Sequence, residues 1–165
     1  MTAEFSSAHT RMTLLWFSVL AAPMLIGIAL VIMVTAGNYT APAVFLPEQQ
    51  LRMGAIGAMA LMLVCARPLR NLLLSPAAIA DRPLQGNLSN DNETSHAIAK
   101  TQASMFLLLG ILDAVAMVVV ALSLMQADFQ LALLNGVYSL VLGIIAKPDF
   151  SGLLKQVKQQ LVKGE

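Results

Sequence analysis

The run TQASMFLLLGILDAVAMVVVALSLMQ, residues 101–126, decides the fold class. Asp113 is its only charge, and the run exceeds the roughly 20 residues a helix needs to cross a hydrocarbon core. It reads as a membrane span. Three further runs share this character. Residues 12–47 contain no charged residue; their centre, 14–36, forms a first span, broken by Gly37-Asn38-Tyr39 and followed by Pro42 and Pro47 in a loop. In the second run Arg52 and Arg67 bracket too few uncharged residues for a span. That helix must include Leu51 and extend towards Leu74, its arginines snorkelling to the interfaces. After the short turn Gln126-Ala127-Asp128, residues 129–146 give a fourth uncharged span.

Composition agrees. The 165 residues are 58% hydrophobic and 12% charged, with mean hydropathy +0.74, whereas soluble domains are about a quarter charged. Most of the surface must face something other than water. A net charge of +1, with basic residues scattered and not interleaved with aromatics, argues against nucleic-acid binding. The ten methionines suit adaptable packing in an apolar medium. The lone Cys65 lies inside an apolar run and reads as a small packing residue. The first apolar run is too long for a signal-peptide core, and no small-residue cleavage site follows it, so its retention is expected.

The expected architecture is therefore all-α and polytopic: four transmembrane helices in two hairpins, then a C-terminal amphipathic helix. Residues 1–13 form the N-terminus, 14–74 the first hairpin, 75–98 a polar loop, 99–146 the second hairpin and 147–165 the tail. Pro76, Pro83, Gly86 and the polar run 87–93 mark the loop. In the tail, Phe150, Leu153, Leu154, Val157 and Leu161 recur at helical spacing with lysines between, as in a helix lying along a membrane surface. With the N-terminus inside, Arg11, Arg67, Arg70, Arg82, Lys100, Lys147, Lys155, Lys158 and Lys163 fall inside and only Arg52 outside. That asymmetry places both termini and the polar loop in the cytoplasm of a multi-pass cell inner-membrane protein. Ala66-Arg67-Pro68 and Ala146-Lys147-Pro148, each trailed by a Leu-Leu pair, form a faint repeat. A duplicated hairpin would produce it, and so would chance agreement between apolar segments.

Asp113 is the candidate for chemistry. An ionised carboxylate near mid-bilayer costs at least about 2.5 kcal/mol, so the neutral acid is favoured there. A carboxyl that is neutral in lipid but ionises beside a cation or water can carry a proton. The alternative is a protonated acid hydrogen-bonded to Ser123, Ser139 or Asn135 on a neighbouring helix. No cation within the spans stands ready as a counter-ion, so proton exchange would need another subunit. Span two also offers small residues, Gly54, Ala55, Gly57, Ala58 and Ala60; Gly54, Gly57 and Ala58 are the candidates for close helix packing, within the chain or in self-assembly. Pro23 and Gly27 suggest a kink or close contact in span one.

The stretch Lys100-Thr101-Gln102 followed by residues 105–117, with Gly110, Asp113 and Ala114 in order, resembles the carboxylate helix of the rotary ATP synthase c subunit. Gly54 and Gly57, followed by Ala66-Arg67-Pro68, stand where that family has a glycine-rich helix and a cytoplasmic Arg-Gln-Pro loop. The resemblance implies a hairpin of spans two and three, Arg67 and Pro68 in its cytoplasmic loop, and Asp113 as the ion-carrying carboxylate. This sequence departs from the family in lacking the loop glutamine, in its reduced glycine series, in its long polar loop and in its two extra spans.

Enzyme signals are absent. His9 and His96 are far apart, without metal-ligand spacing, and no phosphate loop or nucleophile triad is visible. No cofactor or metal is expected. The expected partners are membrane lipid and other membrane subunits, in a homo- or hetero-oligomer. The sequence supports a subunit of a larger inner-membrane complex, proteolipid-like and carrying protons through Asp113. It equally allows a non-catalytic assembly subunit of a secretion, conjugation or respiratory complex, and a small transporter remains a third reading.

Overall fold

A computed structural model describes residues 3–44, 46–83 and 93–163. Every described regular element is an α-helix: α1 (Ala3–Thr35), α2 (Glu48–Leu73), α3 (Pro76–Ala80), α4 (Glu93–Gln126), α5 (Phe129–Ile145) and α6 (Phe150–Lys163). Among them α1, α2 and α4 are long and apolar enough to cross a membrane, and α5 with α6 forms a fourth such unit bent by 50°.

The helix ends follow from local chemistry. Past the end of α1, Asn38 takes a left-handed conformation (φ 51°), which turns the Tyr39 N–H back onto the Met33 carbonyl at 3.0 Å, beside the helical bond from the Gly37 N–H at 3.1 Å. Ser75 caps α3 ahead of Pro76. Asp128 caps α5, its carboxylate accepting from the Leu131 N–H at 3.0 Å. The turn between α4 and α5 is tight enough to hold Ala127 at φ 53°.

The core is a three-helix bundle of α1, α4 and α5, with α2 laid against α4 and α5. Its tightest seam joins α1 to α5. A Cβ on Gly136 would stand 2.6 Å from Met24 Cα, and one on Gly27 2.9 Å from the Ala132 carbonyl oxygen. Only glycine permits that approach. Trp16 Nε1 donates to the Gly143 carbonyl at 2.9 Å and Ser139 Oγ to the Leu20 carbonyl at 2.7 Å. Around Gly54 and Gly57, by contrast, nothing lies within 4 Å of the added carbon, and both residues and Ala58 are exposed. The intramolecular close packing therefore belongs to the α1–α5 seam, while Gly54, Gly57 and Ala58 of α2 point outward and Ala55 alone of its small residues there is buried.

Three expectations need correction. Residues 93–98, expected in the polar loop, begin α4; residues 84–92, including Gly86, lie outside the described set. Residues 3–13 of the N-terminal segment, whose conformation the sequence left open, continue α1. Arg67 and Pro68 lie inside α2, not in a loop. Pro68 cannot donate the usual helical hydrogen bond, but Ala66 and Leu74 on either side are buried and hold the segment in place. The tail does not lie free on a membrane surface. Phe150, Leu153, Leu154 and Val157 are buried against the bundle, with Phe150 edge-on to Trp16 at 6.1 Å. The reason is length. The 33 and 34 residues of α1 and α4 rise about 50 Å, against a hydrocarbon core of about 30 Å. Their projecting turns give α6 an apolar surface to cover.

Candidate functional site

The chain's polar groups collect at three levels between its helices. At the end where α1 turns into α2 and α4 into α5, Arg52 Nε and Nη2 donate to Asp128 Oδ2 and Oδ1 at 2.8 and 2.9 Å. Nη2 also stands 2.6 Å from Glu48 Oε1. Burial by itself would raise the Asp128 carboxyl, but the hydrogen bonds from Arg52 and from the Leu131 N–H outweigh it and hold the group below its usual range. The connection 38–47 is fastened over this end: Tyr39 donates to the Leu124 carbonyl at 2.9 Å and Gln126 to the Leu46 carbonyl at 3.2 Å.

At the opposite end Arg70 Nη1 donates to the Lys147 carbonyl at 3.2 Å, joining the end of α2 to the elbow between α5 and α6. Arg82 donates to the Leu73 carbonyl at 3.2 Å, Lys100 to the Ala80 carbonyl, and Lys158 to Thr94 Oγ1 at 2.9 Å. The sequence order of the helices puts Arg11, Arg67, Arg70, Arg82, Lys100, Lys147, Lys155 and Lys158 at this one end. Arg52 alone of the described basic residues stands at the other.

Between these ends lies a cluster at mid-height in the bundle. Asp113 is half-buried on α4 and its Oδ1, shielded from solvent, has no hydrogen-bond partner. Tyr138 of α5 stands close enough to interact with it electrostatically, and the buried Tyr138 hydroxyl is likewise unpartnered. One turn away, Asn135 donates through Nδ2 to the Ala116 carbonyl at 2.9 Å, leaving its buried Oδ1 free. The three residues expected to anchor Asp113 are all engaged elsewhere: Asn135 as described, Ser139 on Leu20, and Ser123 on the Val119 carbonyl of its own helix at 2.7 Å.

The glycines of α2 and Asp113 do not meet. Gly54, Ala55 and Ala58 line an apolar groove of about 410 Å³ against Ala114, Val115 and Val118 of α4. Asp113 is not among the groove's lining residues, since successive helix positions turn by about 100° and carry it towards α5. Among the described residues no group of three or more metal-ligating side chains is present. The features that sequence reasoning missed are Asp128, Tyr138, Gly136 and Gly143. Asp128 alone carried a signal, an acid just before an apolar helix and at the same end as the single isolated arginine. Comparison with protein-family models, curated proteins and solved structures finds no match to this chain.

Proposed function

We propose that this chain is an integral subunit of a larger membrane complex and that Asp113 is its proton-carrying carboxyl, with Tyr138 and Asn135 as the polar groups beside it. One observation carries the reading: the shielded Asp113 oxygen has no partner, while Asn135, Ser139 and Ser123 have all bonded to backbone carbonyls. An acid retained only as an interhelical anchor would be expected to use one of them. The likeness of residues 100–117 to the carboxylate helix of the ATP synthase c subunit supports the same role.

In this reading the acid rests neutral and releases its proton only when water or a cation reaches it. Arg52 cannot be that cation, because its guanidinium is held by Asp128 and Glu48. A neighbouring subunit supplies the cation, and the outward face of Gly54, Gly57 and Ala58 allows close helix approach for assembly. The basic asymmetry supports a cell inner-membrane protein with both termini cytoplasmic.

The test is Asp113→Asn. Asparagine matches the neutral acid in size and can donate a hydrogen bond, so assembly should be unchanged, while proton flux through the complex reconstituted in vesicles should be lost. The second reading, a non-catalytic assembly subunit, is favoured by the open face of α2 and predicts an unchanged flux or secretion activity in the same variant.

A further inference from the structure

The basic end of the bundle holds a cavity of about 580 Å³ between the last turn of α2 and the elbow joining α5 to α6. Arg70 and Lys147 line it, with Asn71, Ser75 and Gln156 as neutral polar neighbours. Leu74 and Leu153 supply an apolar wall. Its depth along the membrane axis is set by α2. From Glu48 to Arg70 the helix rises about 33 Å, close to one hydrocarbon thickness of about 30 Å. The cavity thus stands at the level of lipid phosphates.

Its charge is unspent. Among the described residues the ion pairs are those of Arg52 with Glu48 and Asp128. Arg70 touches only neutral acceptors, Asn71 Oδ1 at 3.2 and 3.0 Å and the Lys147 carbonyl. The Lys147 ammonium lies 5.3 Å from the centre of the Phe17 ring, which is exposed on the outside of α1 and is not part of the cavity wall, so this side chain swings from that ring to reach a bound phosphate. Asp149 also lines the cavity. Its carboxylate is turned back on its own chain, accepting from the Ser151 N–H and hydroxyl at 3.1 and 2.8 Å. Two cations against one internally bonded carboxylate leave a net positive cleft with an apolar wall.

We infer that this cavity seats the headgroup of an anionic glycerophospholipid from the leaflet at the basic end. Arg70 and Lys147 hold the phosphate, and Leu74 and Leu153 meet the first carbons of the acyl chains. The inference does not depend on the role of Asp113.

The experiment uses the full chain in mild detergent, titrated with phosphatidylglycerol or phosphatidylcholine and read by native mass measurement. Phosphatidylglycerol should be retained at least about fivefold more strongly, as one surface charge is worth about that factor. Lys147→Gln keeps the carbonyl that Arg70 uses, so the elbow should stay folded while phosphatidylglycerol retention falls about fivefold. Lys147→Arg should restore it, and Arg67→Gln, an equal charge change outside the cavity, should leave it unchanged. Equal retention of the two lipids, or equal losses in Arg67→Gln and Lys147→Gln, would overturn the assignment. So would protection from thermal unfolding by millimolar inorganic phosphate as strong as that by the lipid, which would make the cavity a soluble-anion site.

Discussion

Arg52 and Asp128 form a two-pronged ion pair across 76 positions of sequence, and the same carboxylate caps α5 through the Leu131 N–H. One acid thus orders two helices. Removing it leaves a helix end uncapped, worth about 1 kcal/mol, and a partly buried guanidinium with a single remaining carboxylate. Asp128→Ala should lower thermal stability in detergent more than Arg52→Ala. The double variant should lose less than the two singles together, by about 1 kcal/mol. Strict additivity would mean the two side chains do not interact.

Acid should weaken the same joint. The Asp128 carboxyl is held below its ordinary range in the folded chain, because the hydrogen bonds to its charged form outweigh desolvation. A depressed folded value gives stability that is fully present above the unfolded value, about 3.9, and is lost as pH falls through the folded one. Melting curves between pH 6 and pH 3 should show a loss below about pH 4 that is reduced in Asp128→Asn. An identical acid loss in that variant would place the titration elsewhere.

Glycines on the two kinds of helix face should respond differently. Gly136→Ala drives a Cβ to 2.6 Å from the Met24 backbone, and overpacking of this kind costs about 1–3 kcal/mol. At Gly54 an added Cβ meets nothing within 4 Å, and the groove of about 410 Å³ beside it has room for the rest of a leucine side chain. The monomer of Gly54→Leu should melt normally, while the mass of its detergent-extracted assembly should fall. A normal melt for Gly136→Ala would contradict the close α1–α5 seam.

Trp16 is the chain's one tryptophan, fully buried against Phe150. Phe150→Ala should open its ring to water at the basic end and shift its emission to longer wavelength. An unshifted spectrum would indicate that α6 does not pack on α1.

Much of this architecture was legible. The uncharged runs gave the long helices, Asp113 drew attention by being alone among apolar neighbours, and Arg52 stood out as the isolated basic residue. Facing was not legible. In a soluble helix the polar side marks the outside, but lipid is as apolar as the core, so α1 and α4 look alike all round. Small residues were therefore credited mainly to α2, while the seam formed through Gly27, which the sequence had marked for a kink or close contact, and through Gly136 and Gly143, which it had not. Pairing over distance was hidden for a similar reason. Neither Arg52 nor Asp128 names its partner until the helix lengths bring their ends to one level. The fate of the tail depended on how far α1 and α4 project, which hydropathy does not measure.

α2 is fastened to the ends of α5 twice, by Arg52 to Asp128 and by Arg70 to the Lys147 carbonyl. Along the stretch between, its buried residues form one line, Ala55, Met59 and Ala66. Mechanically it is a beam supported at both ends. One residue inserted between the supports would advance one end by about 1.5 Å and turn it by about 100° relative to the other, so only one fastening could survive. Substitution of an outward-facing residue such as Leu61 or Val64 should be tolerated, whereas its deletion should not. The chain constrains the number of residues there more tightly than their identity.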